Sequence, residues 1–284
     1  VSHKPLQAAL GTKHGKEAIF QPAFAELGIS IIVAEVDTNR FGTFAGEVER
    51  QGSPRDTVER KARAAIEATG LPIGLASEGS FGPHPATPFL LADTEIVVYI
   101  DDQRDYCVFE TASAVSAIPS TVILDGEDAA NKLERLEDLK ISSMFPDQRA
   151  IVVVEDPETK SRTVLAKGID SLDQLRAVIA RARADQPHPI IIEPDLRAHY
   201  CPDRRNVIRA AVDRLVTRLR MMCPDCGVAG FGPLRTIPGL RCGLCGLPTT
   251  RPAADVMGCT RCGLETEIAR SGEADPTYCD RCNP

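Results

Sequence analysis

IGLASEGSFGPHP, residues 73–85, joins a short apolar run to an acid and a cluster of glycines. Ile73, Leu75 and Ala76 predict a buried strand that stops at Ser77-Glu78, and Gly79, Ser80 and Gly82 predict a glycine-rich turn after it. An acid at the C-terminal end of such a strand is where α/β folds hold ligands. The glycines would allow positive φ and a close approach of ligand to backbone. The alternative is an exposed loop with a solvated Glu78, and the flanking segments weigh between the two.

Upstream, PLQAAL (5–10) predicts a first strand, followed by the loop Gly11-Thr12-Lys13-His14-Gly15-Lys16. A helix to Leu27 follows, with Pro22 either kinking it or marking its first turn. ISIIVAEV (29–36) is β-branched and predicts a buried strand. Strand, loop, helix and strand in that order predict a parallel sheet. Asp37–Gly52 reads as loop. Ser53, Pro54 and Asp56 then supply an N-cap, an N1 proline and a capping-box acid for a helix that Gly70 closes.

Downstream, TEIVVYI (94–100) and YCVFETA (106–112) predict a hairpin, and 126–139 an exposed amphipathic helix. AIVVVED (150–156), RTVLAKGI (162–169) and HPIIIEPD (188–195) predict strands, with a helix from Ser171 to about Ala184. A long helix is expected over 203–222, with Ile208, Val212, Leu215, Leu219 and Met222 as its apolar stripe and Arg204 and Arg218 among the arginines off it. The expected fold is α/β: a mixed, largely parallel sheet with helices on both faces over residues 1–222, then a small zinc-ribbon domain over 223–284.

The 284 residues are 43% hydrophobic and 26% charged, as in globular proteins, and suffice for about two domains. A net charge of −7 gives no overall attraction to nucleic acid or anionic membrane. The start of the chain has no long apolar run and no stretch approaches a membrane span, so a cytoplasmic protein is expected.

Eight of the ten cysteines form four Cys-x-x-Cys pairs: Cys223/Cys226, Cys242/Cys245, Cys259/Cys262 and Cys279/Cys282. That is metal-ligand spacing and fits a reducing compartment. Eight thiolates make two tetrahedral zinc sites, closed and therefore structural, without which so small a segment would not fold. Fifteen residues separate the first two pairs, sixteen the last two and thirteen the middle two. Sequential pairing is favoured and interleaved pairing is the alternative. Residues 223–284 carry six arginines against seven acids and few aromatics, which counts against nucleic acid and favours a ribbon that docks a protein partner or is purely architectural.

A second constellation joins the loop at 11–16 to Lys61 and Glu78. Glycines and a lysine between a strand and a helix suit phosphate: Lys16 would grip it, with Thr12, His14 and Lys61 as further phosphate ligands. Glu78 could hold Mg²⁺ or orient water, with Asp37, Glu49 or Asp56 as a second carboxylate. Asp56 already has a role in the capping box, and His14 could equally be a surface residue.

These segments resemble, over residues 6–100, the inosine/xanthosine triphosphate pyrophosphatase family, which hydrolyses non-canonical purine nucleoside triphosphates. Its Thr-x-Asn-x-x-Lys loop is similar to Thr12-Lys13-His14-Gly15-Lys16, here one residue shorter and with His14 in place of Asn. Its Glu-Asn-Ala-x-x-Lys-Ala helix lies over Asp56–Ala62, with the acid and Lys61 kept. Its Gly-Ile-Glu-Gly-Gly form resembles Ala76-Ser77-Glu78-Gly79-Ser80, which implies that Glu78 binds metal or water. Arg197-Ala198-His199 is a loose counterpart of its base-recognising Ser-His-Arg. Nearly the whole chain, with RFGTF (40–44), GSFGPHP (79–85) and YCDRCNP (278–284), also resembles an uncharacterised bacterial domain family, which implies no activity. The readings that follow are a Mg²⁺-dependent nucleotide (pyro)phosphohydrolase, a non-enzymatic nucleotide or phosphate sensor whose zinc ribbon docks a protein, and a nucleic-acid-binding zinc protein.

Overall fold

Strand β1 (Leu6–Gly11) leads through a glycine-bearing loop into helix α1 (Glu17–Ala25), and Gly28, at a φ of 70°, turns the chain into β2 (Ile29–Val33). The computed structural model describes residues 6–13, 15–43, 47–84, 87–116, 121–124, 145–185 and 188–284. His14 and the helix expected over 126–139 lie outside the described residues. β2 is an edge strand paired in parallel to β1, so Ile32 and Val33 are partly exposed rather than buried as expected. Pro22 sits inside α1.

Helix α2 (Pro54–Thr69) forms as its caps dictate. Ser53 and Asp56 make both hydrogen bonds of a capping box, and Gly70 takes the left-handed conformation at the other end.

The segment at 73–85 corrects the expectation of a short strand and a turn. β3 (Ile73–His84) runs through Glu78 and the glycines and pairs antiparallel with β4 (Thr87–Asp101). Gly74, Gly79 and Gly82 do not take positive φ. Two of them serve instead to let neighbours approach. A Cβ on Gly74 would lie 2.7 Å from the Ala62 carbonyl oxygen, and one on Gly79 would lie 2.2 Å from Glu95 Oε1.

β5 (Tyr106–Val115) completes the expected hairpin with β4. The sheet order is β2-β1-β3-β4-β5, parallel on both sides of β1 and antiparallel beyond β3. The sheet is mixed, and the expected largely parallel pairing is not met because the long β3–β4 hairpin replaces a crossover. Leu10, Leu75 and Val97 share a core with α1 and with α4 (Pro202–Leu219), whereas Ala76, Val98 and Ile100 pack with Val58 and Ala62 of α2.

A second sheet was not foreseen. β6 (Val122–Leu124), β7 (Ala150–Glu155), β8 (Arg162–Ile169) and β9 (Ile190–Pro194) form an antiparallel sheet of order β6-β9-β7-β8. It has its own core against α3 (Leu172–Asp185), in which Val152, Leu175, Ile179 and Ile192 are buried.

α4 buries Ile208, Val212, Leu215 and Leu219 as expected, but Met222 lies beyond its end and is 58% exposed. Arg204 and Arg218 are buried rather than solvated. After α4, β10 (Gly232–Pro238), β11 (Pro252–Gly258) and β12 (Glu265–Ala269) form a three-stranded antiparallel sheet. Cys223, Val228 and Cys259 pack into the core of the first sheet beside Tyr106 and Val108. Among the described residues no helix is long and apolar enough to cross a membrane.

Candidate functional site

β1 stops at Gly11, paired with Ala76, while β3 continues past it, so Ser77 and Glu78 stand just beyond the carboxyl end of a parallel strand. Gly11 is required there, because a Cβ would lie 2.5 Å from the carbonyl oxygen of Lys61. That close approach brings α2 against the sheet and sets Lys61 over Glu78.

Adjacent residues of a strand point to opposite faces. On one face, Lys16 Nζ donates to Ser77 Oγ at 2.8 Å and to the Ser77 carbonyl at 3.3 Å. On the other, Lys61 Nζ donates to Glu78 Oε2 at 2.5 Å, and Arg50 Nη1 donates to Glu78 Oε1 and to the Gly79 carbonyl, each at 3.2 Å. Lys16, Lys61, Ser77 and Glu78 are all buried.

A cleft opens over these groups. Lys13, Lys16, Lys61, Lys167, Arg197 and Arg204 line it, against the carboxylates of Glu47 and Glu78, with Gly11, Thr12, Thr38 and Thr43 between them. The second sheet contributes Lys167 from β8, paired with Glu47, and Arg197, which follows β9. Arg197 forks onto Asp195, with Nε at 2.9 Å from Oδ1 and Nη2 at 2.5 Å from Oδ2. At the cleft floor Arg204 is ion-paired through Nε to the fully buried Glu95 and donates from Nη1 to the Leu196 carbonyl at 2.6 Å.

The electrostatics single out Lys16. Burial, and then the nearby Arg204 guanidinium, lower its pKa to about 7. The other five cations of the cleft each reach a carboxylate, whereas among the described residues Lys16 reaches neutral oxygens. Such a group is poised to take up both a proton and an anion.

The remaining expected residues divide. Thr12 lines the cleft. Asp37 is exposed and engages Lys13 at 2.8 Å, which with the Asn39 amide holds its carboxyl below the usual range. Asp56 faces Ser53 in the capping box, and the exposed Glu49 does not line the cleft. His199 comes next to Gly15, its Cβ 3.9 Å from where a Gly15 Cβ would stand. Burial and then Arg197 lower the His199 pKa.

Arg204, Glu95, Arg50 and Lys167 were not foreseen, although two of them left a signal. Arg204 stands one turn before Ile208 on the same stripe, and Glu95 shares the parity of the buried Val97 and Tyr99.

The cysteines form two clusters, Cys223/Cys226/Cys259/Cys262 and Cys242/Cys245/Cys279/Cys282, the sulfurs of each lying within 4.8 Å of one another, so each could hold a metal ion. The pairing is interleaved, which corrects the favoured sequential pairing. β10 carries the chain about 20 Å from the first pair to the second, and β11 returns the third pair to the first. β12 then leads to the fourth pair beside the second.

No curated protein and no solved structure matches this chain. Residues 61–284 match a family described as a domain of unknown function, DUF6671, so the range takes in Lys61, Glu78, Arg197, Arg204 and both cysteine clusters, and the chain belongs to that family.

Proposed function

We propose that the cleft beyond β1 binds the phosphate groups of a nucleotide or a similar phosphorylated small molecule, and that the protein hydrolyses it in a Mg²⁺-dependent reaction. The observation that carries this is Lys16, a buried lysine on neutral partners in a cleft lined by five further cations and two carboxylates. Phosphate would take the place of water at Lys16, with the Thr12 hydroxyl and the loop amides as further donors. Lys61 and Arg197 are within the same cleft to neutralise a second phosphate.

Mg²⁺ takes one or two carboxylates and completes its shell with substrate phosphates and water. Glu78 is the residue that would hold it, and the ion would supply charge neutralisation on the phosphate oxygens. Glu78 otherwise orients the attacking water. Two ions bound by the cysteine clusters fit zinc, since four thiolates with no open position make a structural site. On this reading residues 1–222 handle the ligand and 223–284 form the metal module, available to a protein partner, in a cytoplasm that keeps the thiols reduced.

One observation favours a second reading, a sensor without turnover. Both oxygens of Glu78 are held by cations, Lys61 on one and Arg50 on the other, so a metal ion or a catalytic water would have to share them with these two charges. The test is turnover of canonical, deaminated and oxidised nucleotides with Mg²⁺, reading pyrophosphate and phosphate separately, beside Lys16→Ala and Glu78→Gln. Turnover lost in both variants supports the hydrolase. Lys16-dependent thermal stabilisation without turnover supports the sensor, and absence of both effects rejects the cleft as a phosphate site.

A further inference from the structure

A second cavity, of about 400 Å³, lies between the end of β5 and the first half of α4. It is large enough for a small molecule. Asp93 lines it and is 2% exposed, and neither of its carboxylate oxygens meets a hydrogen-bond donor among the described residues. Two residues along β4, Glu95 is fully buried, and its Oε2 is equally without a donor. Arg204 engages Glu95 through Oε1 and reaches Asp93 only through its charge. A buried carboxylate left in this state is costly unless a cation or donor meets it.

The rest of the lining states the chemistry. Asp203 and Asn206 of α4 add oxygen acceptors, and Val207 and Ala210 add apolar surface. Arg214 also borders the cavity, its Nη1 donating to the Thr111 carbonyl at 2.5 Å, and its one positive charge stands against the two carboxylates of Asp93 and Asp203. A metal ion is the poorer occupant: among the described residues, the sets of three or more side-chain ligands that converge are the two cysteine clusters.

We propose that the cavity between β5 and α4 binds a small organic cation, an ammonium or guanidinium group on an apolar body, with Asp93 as its counter-ion. Such a group supplies the donors that the Asp93 oxygens lack, and its carbon chain covers Val207 and Ala210. Burial and then the charge of Glu95 raise the Asp93 pKa to about 7, and a bound cation would lower it again.

The test uses the full chain and calorimetric titration with agmatine and with putrescine, alongside Mg²⁺ and Mn²⁺ alone. One amine is expected to bind once per chain, and to bind at least about tenfold more weakly to Asp93→Asn, because a charge-assisted hydrogen bond is lost. Ala210→Leu, which narrows the cavity without touching the buried charges, is expected to weaken binding similarly while keeping the fold. The proposal is overturned if neither amine binds the wild-type chain, if binding survives both substitutions, or if a metal ion rather than an amine depends on Asp93.

Discussion

Lys16 Nζ stands 2.8 Å from Ser77 Oγ, and this contact ties the loop after β1 to the interior of β3 across 61 residues of sequence. It places a buried ammonium where β1 has ended and β3 has not. The two sheets, α2 and α4 all reach this point, the first sheet with Ser77 and Glu78, α2 with Lys61, the second sheet with Lys167 and the following Arg197, and α4 with Arg204. An anion held there touches every layer of the α/β region, so its binding should be felt in global stability as well as in local contacts.

The depressed pKa of Lys16 makes stability depend on pH with a definite sign. The unfolded lysine titrates near 10.5 and the folded one near 7, so between those values the unfolded chain binds more protons. The cost of charging Lys16 is fully present below about pH 7 and is relieved as pH rises toward 10.5. Lys16→Met should therefore flatten the rise of unfolding free energy with pH, by at most about 1.4 kcal/mol per pH unit, in denaturant titrations at pH 7 to 10. Equal slopes in both proteins would mean that Lys16 is not desolvated. Phosphate binding should also take up a proton above pH 7, readable as buffer-dependent heat in calorimetry.

Glycines that touch neighbours should be sensitive and the open one tolerant. Gly11→Ala sets a Cβ 2.5 Å from the Lys61 carbonyl and should cost about 1–3 kcal/mol or more, since α2 must shift. Gly82 has nothing within 4 Å of its Cβ position and no positive φ, so Gly82→Ala should change stability by less than about 0.5 kcal/mol. Urea midpoints of the two variants decide it, and similar losses would mean that α2 yields at Gly11 without cost.

The Glu95–Arg204 pair should behave as a unit. Both side chains are nearly inaccessible, so Arg204→Met leaves a buried unpaired carboxylate and should cost about 3–5 kcal/mol. Glu95→Leu combined with Arg204→Met should recover most of that loss. A double-mutant cycle in denaturant gives the coupling, and additive losses would mean that the two charges are solvated independently.

Local punctuation was the legible part of this chain. Ser53, Pro54, Asp56 and Gly70 bound α2 by side-chain and backbone preferences that need no tertiary context. Lys16, Lys61, Thr12 and Glu78 were expected together, and they meet in one cleft. The misreading of Gly79 shows where local rules stop. A glycine can mark a turn or a close approach, and the Glu95–Arg204 pair that demands the second comes from segments 16 and 125 residues away. Arg204 was misplaced for the same reason, because a charge on an apolar stripe reads as solvated until its partner is known. The second sheet was hidden because its strands signal existence but not which neighbour each one takes.

The interleaved cysteine clusters make the sharpest prediction. Mass spectrometry under native conditions should find two metal ions on the intact chain, one for each four-sulfur cluster. Cys223→Ser and Cys259→Ser should each remove one ion, and the double variant should still hold one, because both residues serve the same cluster. Cys223→Ser with Cys242→Ser should hold none, since these serve different clusters. Sequential pairing requires the reverse: the first double variant would lose both ions and the second would keep one. Three strands link the clusters, and Cys223 and Cys259 pack beside Tyr106 and Val108, so loss of that ion should also loosen the first sheet. Loss of the Cys242 cluster, farther along β10, should leave the Tyr106 environment unchanged. Hydrogen exchange of β5 amides in Cys259→Ser against Cys279→Ser reads this difference, and equal protection in the two would detach the metal module from the sheet it packs on.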